Sequence, residues 1–192
     1  MGNWEGWAKM ALTREAIVET AMGILRDYGL ADLSMRRLAR DLGVQPGALY
    51  WHVKNKQDLL TVLAGLILTP VAIQAPDSLR ELAVRVRETL LTVRDSAEVV
   101  ALAHALDPRS TTPLQLFGAL LEGEKLPADQ AEWAAEALVS YVLGSVTDEQ
   151  TRAGLTSAGL LATTERDAGK IFTFGLDLML NGLATQPTQR AS

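Results

Sequence analysis

The chain has 192 residues, 48% of them hydrophobic, enough to bury a substantial core as one domain or as a small one and a larger one. It has no cysteine, which excludes a disulfide framework and a thiolate metal site and fits an intracellular, cytoplasmic setting. The net charge is −5, yet residues 1–56 hold eight Lys and Arg against six acids, and the remainder ten against seventeen, so an acidic balance hides a mildly basic N-terminal quarter.

The opening MGNWEGWAKMA lacks the apolar run of a signal peptide, and residues 1–12 are expected to form an extension. Thr13 can cap a helix that places Ile17, Ala21, Ile24, Leu25 and Tyr28 on one stripe and stops at Gly29. Ser34 caps a short second helix with Leu38, Ala39 and Leu42 inward, ending at Gly43. Pro46 begins a third at the first helical position, where a missing N–H costs nothing. Asn55 opens a fourth, with Asp58 in a capping-box-like relation. Two short helices joined by LGVQ, a tight turn with glycine, make a helix-turn-helix.

The window LLTVLAGLILTPVAIQA from Leu59 is broken by Thr61, Thr69 and Pro70 and falls short of the roughly 20 apolar residues of a spanning helix. It reads as a buried helix, and no membrane is expected as a partner. Pro76 or Asp77 should open the next helix, through Leu82, Val86 and Leu90, and Ser96 another that ends near Leu106. DPRSTTP (107–113) and EGEKLP (122–127) read as loops. A long helix follows through Trp133, Ala137, Leu138, Tyr141 and Val142, and residues 151–164 read as loop or frayed end. The last helix is expected from about Glu165 to Leu183, with residues 185–192 a disordered tail. The fold class is therefore all-α.

One stretch fits neither a packed core nor a solvated loop: LYWHVKNK, Leu49 to Lys56, behind Pro46-Gly47-Ala48. Together with SMRRLARDLGV upstream, it resembles the DNA-binding domain of the tetracycline-repressor (TetR) family over about fifty residues. LLTVRDSAEVV and YVLGSVTDEQ are similar, more loosely, to segments of that family's C-terminal domain. The resemblance implies a three-helix helix-turn-helix domain, residues 13–58, and a larger helical ligand-binding and dimerisation domain, residues 59–184. It further implies a homodimer that grips a double-stranded operator and releases it when a small molecule enters the larger domain.

Within that frame the odd stretch has a physical reading. Gly47 and Ala48, small residues behind Pro46, let a recognition helix come close to the major groove. Tyr50 can give its hydroxyl to a phosphate. Lys56 stands at a helix N-terminus, where free N–H groups and the positive dipole end favour an anion. Arg36 can reach a base edge or a phosphate, Gln45 can bond a base, and Trp51 can pack on sugar or a thymine methyl. His52 resembles a phosphate contact of the family. The alternative for Trp51 and His52 is packing against the first helix; Arg37 and Arg40 read as surface electrostatics. Pro46-Gly47-Ala48 offers no side-chain hydrogen bond, so readout should lean on Arg36, Gln45 and DNA shape.

On the ligand side, Ala72, Leu82, Val86 and Val100 fall where family members that hold a tetracycline–magnesium chelate need polar groups. The only histidines are His52 and His104, so no metal site and no cofactor are expected. An apolar pocket is expected from Leu63, Leu66, Ile67, Leu82, Val86, Val100, His104, Leu106, Phe117, Tyr141 and Val142, each of which can also be ordinary core. The dimer contact is expected from Trp133, Ala137, Leu138, Gly144, Phe174, Gly175 and Leu178. No nucleophile elbow or phosphate-binding loop occurs, so the chain is not expected to be an enzyme. An activator, or a regulator answering to a protein, stays open as the alternative.

Overall fold

The computed structural model describes residues 12–73, 76–108, 112–122, 126–162 and 166–185; the expected N-terminal extension and C-terminal tail lie outside them, except for their border residues. The described residues form helices α1 (Arg14–Tyr28), α2 (Met35–Asp41), α3 (Pro46–Leu49), α4 (Lys56–Ile73), α5 (Leu79–Leu91), α6 (Ser96–Leu106), α7 (Thr112–Glu122), α8 (Ala128–Ser157) and α9 (Ala168–Ala184). A 3-10 turn at Leu30–Asp32 joins α1 to α2, and no strand occurs among the described residues.

Local chemistry sets the first four helices. The Thr13 hydroxyl accepts the Ala16 N–H at 3.1 Å and the Ser34 hydroxyl accepts the Arg37 N–H at 3.2 Å, so each cap serves a first-turn donor. At the end of α2, Gly43 N–H donates to the Arg40 carbonyl and Val44 N–H to that of Ala39, a Schellman closure that turns the chain into α3. Ile17, Leu25, Leu38, Leu49 and Val53 fill the centre of this small unit. Tyr28 is half exposed instead of inward, because the Arg37 guanidinium lies over its ring at 3.8 Å from the centroid.

α4 carries the chain from this unit into the larger one. It is long and apolar enough to cross a membrane, but its Leu59, Leu63, Ala64, Ile67, Leu68 and Val71 pack inside the protein against α1, α5, α6 and α7. It runs straight through the expected breaks. Thr61 and Thr69 donate their hydroxyls to the Gln57 and Gly65 carbonyls, and Pro70 is accommodated one turn before the helix ends. Around it, α5, α6, α7 and α8 complete one core with Leu82, Val86, Val100, Phe117, Leu138 and Val142.

Several boundaries differ from expectation, and α7 begins at Thr112, inside the expected loop 107–113. α5 begins at Leu79, because Ser78 and Glu81 form the helix start, with the Ser78 hydroxyl accepting the Glu81 N–H at 3.2 Å. Residues 151–157 are not loop: α8 continues to Ser157. Its far end lacks an apolar stripe because it is held by polar pairs, Arg152 with Asp148 one turn back and Ser157 with the Ala153 carbonyl. Gly159, at φ +71, then lets Leu160 N–H reach the Leu155 carbonyl and stops the helix. α9 starts at Ala168, capped by Asp167, whose carboxylate accepts the Lys170 N–H at 2.9 Å.

The two units meet at the α5–α6 turn. Asp95 adopts a left-handed conformation (φ 53), alone among the described non-glycine residues, and its Oδ2 accepts the Leu30 N–H at 2.8 Å. Gly29 sits so close that a Cβ there would collide with that carboxylate, at a φ of +90 that side chains avoid. Gln150 of α8 holds the same turn, donating to the Leu90 and Val93 carbonyls at 3.0 and 2.8 Å and accepting the Ala97 N–H at 3.2 Å. Gly29→Ala should therefore lower the thermal midpoint, by a loss of about 1–3 kcal/mol. Gly23→Ala, inside α1 with open space at its Cβ, should raise it by up to about 1 kcal/mol. Calorimetry on the two variants reads both signs.

Candidate nucleic-acid interface, interior and dimer face

The helix-turn-helix unit leaves the expected contact residues uncovered. Arg36, Gln45, Pro46, Gly47 and Tyr50 are exposed, and Ala48, His52 and Lys56 are partly so. Trp51 is 89% exposed, so it does not pack against α1. The core anchors of the same stretch are Leu49 and Val53, on either side of the rings.

The cations around it divide into committed and uncommitted ones. Arg37 bonds Asp32 and Asp41 and stacks on Tyr28. Burial works against its charge, but Asp41 and Asp32 outweigh this and push its pKa up. Arg40 pairs with Asp41 at 3.2 Å. Arg36, one residue from Arg37, is exposed and makes no ion pair among the described residues. At the start of α4, the Asn55 side chain accepts the Asp58 N–H at 2.8 Å and Asp58 accepts the Lys54 N–H at 3.2 Å, which fixes the backbone that carries Lys56. The Glu15 carboxyl is held below its ordinary value by its own backbone N–H and then by the Thr13 hydroxyl.

The expected ligand-contact residues separate into three places. Leu63, Leu82, Val86, Val100, Phe117 and Val142, contributed by five helices, are all completely buried in one core. Leu66 and Ile67 line an open cavity of about 750 Å³ between α1 and α4, and Leu106 one of about 640 Å³ between the start of α4 and α6. Tyr141 lies between α8 and α9, stacked on Phe172 at 5.5 Å, and donates its hydroxyl to the Phe172 carbonyl at 2.8 Å. His104 is half-buried in the last turn of α6. Ala72 does not join Leu82, Val86 and Val100: the α4 stripe ends inward at Val71, which turns Ala72 outward. Asp148 is bound to Arg166 and Arg152, which keep its carboxyl below the usual range. Among the described residues no cluster of three or more His, Asp or Glu could hold a metal.

α8 and α9 present an apolar outer face. Trp133, Phe174 and Leu178 are 64%, 67% and 60% exposed, beside a shallow 230 Å³ groove lined by Ala137 and Leu178 among others. Ala137 and Gly144 are exposed as well. Leu138 is not on this face; it is completely buried in the chain's own core, because α8 packs on both α7 and α5 and turns this position inward. Gly175 has an internal cause: a Cβ there would collide with the Tyr141 hydroxyl. Sequence reasoning did not find Asp95 or Gln150. Gln150 follows Val142 and Val146 at helical spacing, a polar residue on a buried stripe, which was the available signal.

Comparison with known proteins agrees with this geometry. Residues 17–63 match the family described as bacterial regulatory proteins, tetR family, and residues 75–165 match the tetracyclin repressor-like C-terminal domain. Tetracycline repressor protein class C of Escherichia coli is 31% identical over 199 residues, covering 90% of each chain. BioQ, solved with its double-stranded DNA operator, superposes with a TM-score of 0.76 at 35% identity, over 91% of this chain and 99% of that one. ActR of Streptomyces coelicolor, in complex with actinorhodin, gives a TM-score of 0.75 at 27% identity, over 95% and 100%. The chain belongs to the TetR family of bacterial regulatory proteins: it is a DNA-binding transcriptional regulator, not an enzyme.

Proposed function

We propose that the protein is a cytoplasmic repressor that binds a palindromic operator as a homodimer and is released by a small, mainly apolar ligand. The observation that carries the DNA half is the uncovered face from Arg36 to Lys56, with Trp51 in water between two core anchors and Arg36 free of the acids that hold its neighbours. Arg36 and Gln45 read bases; Tyr50, His52 and Lys56 hold phosphates; Pro46, Gly47 and Ala48 give the close approach; Trp51 packs on the sugar edge. The dimer half rests on the exposed α8–α9 face, where the large apolar side chains of Trp133, Phe174 and Leu178 are each more than half exposed. The ligand half rests on the interior. Leu82, Val86 and Val100 favour an apolar body at about 25 cal/mol per Å² buried and offer nothing to a chelate. That BioQ was solved on an operator and ActR with actinorhodin supports the same division of labour.

Operator selection from the source genome should return an enriched palindrome whose affinity falls steeply with salt. Lys56→Ala should weaken all sequences alike, while Arg36→Ala or Gln45→Ala should also relax base preference, at about 1–3 kcal/mol each. A selection that enriches no palindrome overturns the reading. Leu178→Asp should give monomers by light scattering with little operator affinity, and a wild-type monomer would sink the dimer. Tetracycline with magnesium should leave the operator complex intact in a mobility-shift assay, whereas some hydrophobic aromatic compounds should dissociate it; release by micromolar tetracycline–magnesium would show a polar pocket instead.

A further inference from the structure

The 750 Å³ cavity between α1 and α4 is not explained by DNA binding, dimerisation or an interior ligand. Its size falls in the range of small-molecule sites, roughly 300–1,000 Å³. Its floor is apolar: Val18 and Met22 from α1, Val62 and Ile67 from α4, Val93 from the α5–α6 turn. Leu66 stands over it 49% exposed, an apolar side chain half in water on a helix that buries its other leucines. Pro70, one turn on and also in the wall, has no N–H to give the Leu66 carbonyl, so that acceptor lacks its ordinary helical partner.

The rim is charged at both ends. At the α1 start, Arg14 faces Asp58 at 3.9 Å, with Glu15 beside it and Glu19 one turn on. At the other end Arg26 is the one charged residue of the wall, and no ion pair among the described residues holds it. Arg14 and Arg26 are twelve residues apart on one helix, about 18 Å at 1.5 Å per residue, so the cavity is elongated and polar at its ends.

We propose that this cleft is a binding site for an elongated amphipathic small molecule with an apolar body along Met22, Val62 and Leu66 and an anionic end at Arg26. It is separate from the interior of the C-terminal bundle and does not depend on the ligand proposed there. Its two walls belong to different units, α1 to the helix-turn-helix and α4 with the α5–α6 turn to the larger one. An occupant's contact area depends on the angle between them, so it favours one angle over others.

The test uses the full chain labelled with [methyl-13C]methionine and titrated with dodecanoate below its micelle concentration. Met22 lines the cleft, whereas Met35 and Met179 lie on α2 and α9. Saturable movement of the Met22 methyl, with Met35 and Met179 unmoved, is the expected result. Leu66→Asp, a substitution at a half-exposed position, should weaken dodecanoate at least about tenfold. Arg26→Glu should weaken dodecanoate by a similar factor, about tenfold, yet leave dodecan-1-ol within about twofold, because only the anionic end is lost. No saturable shift of Met22, or one that survives both substitutions, overturns the proposal, and neither outcome bears on operator binding.

Discussion

The contact on which the rest of this molecule depends is one hydrogen bond between its two units, Leu30 N–H to Asp95. It needs three unusual features at once. Asp95 must hold a left-handed backbone, Gly29 must lack a side chain, and the α5–α6 turn must be rigid enough to present the carboxylate. Gln150 supplies the last, since its amide group satisfies two carbonyls and one N–H of that turn. Gln150 lies on α8, the helix that also carries Trp133 and packs against α7. The outer face, the bundle interior and the α1–α2 junction are thus joined through one polar side chain. A partly buried polar group this fully satisfied has a single good arrangement, and moving α8 relative to α5 costs several bonds together. A ligand that altered α8 would therefore act on the helix-turn-helix unit without touching it. Coupling of this kind is typically 1–3 kcal/mol.

Charge is used with similar economy. An acidic protein must present a cationic face to DNA, and this one does so by neutralising the wrong arginines in place. Arg37 and Arg40 are tied to Asp32 and Asp41, where they brace α2, and Arg36 is left clear of them. The acids that offset the charge total lie mostly in the larger unit, many of them in ion pairs between or along its helices, such as Arg87 with Glu149 and Arg80 with Asp177.

Much of this was legible in the sequence, for physical reasons that also mark its limits. Caps and turn glycines are local, so Thr13, Ser34, Pro46 and Asn55 announced the helix-turn-helix before any tertiary contact. The end of α8 was not legible from apolar period, because past Val146 the helix is held by Arg152, Asp148 and Gln150 and not by a buried stripe. Sequence pattern groups Leu138 and Gly175 on one face with Trp133 and Phe174. Which side of a helix faces inward cannot be fixed when apolar residues surround it, and here Leu138 turned in and Tyr141 filled the space at Gly175. Asp95 and its partner Leu30 are 65 residues apart, a distance at which sequence pattern carries no signal.

The placement of the apolar side chains also constrains how any effector can work. Leu63, Leu82, Val86, Val100, Phe117 and Val142 are sealed from solvent, so a molecule that touches them must displace packing or enter through a transient opening between helices. Such binding costs reorganisation and is coupled to conformation by necessity. The α1–α4 cleft is the opposite case: open, partly lined by charge, and shared by two units, so an occupant needs no opening and acts on their angle directly. Interior binding would shift the Gln150-braced turn from behind, and cleft binding would act from the front, through the same Asp95 contact. The two inputs converge on one joint, where Asp95 and Arg94 of the turn lie against Gly29 and Leu30.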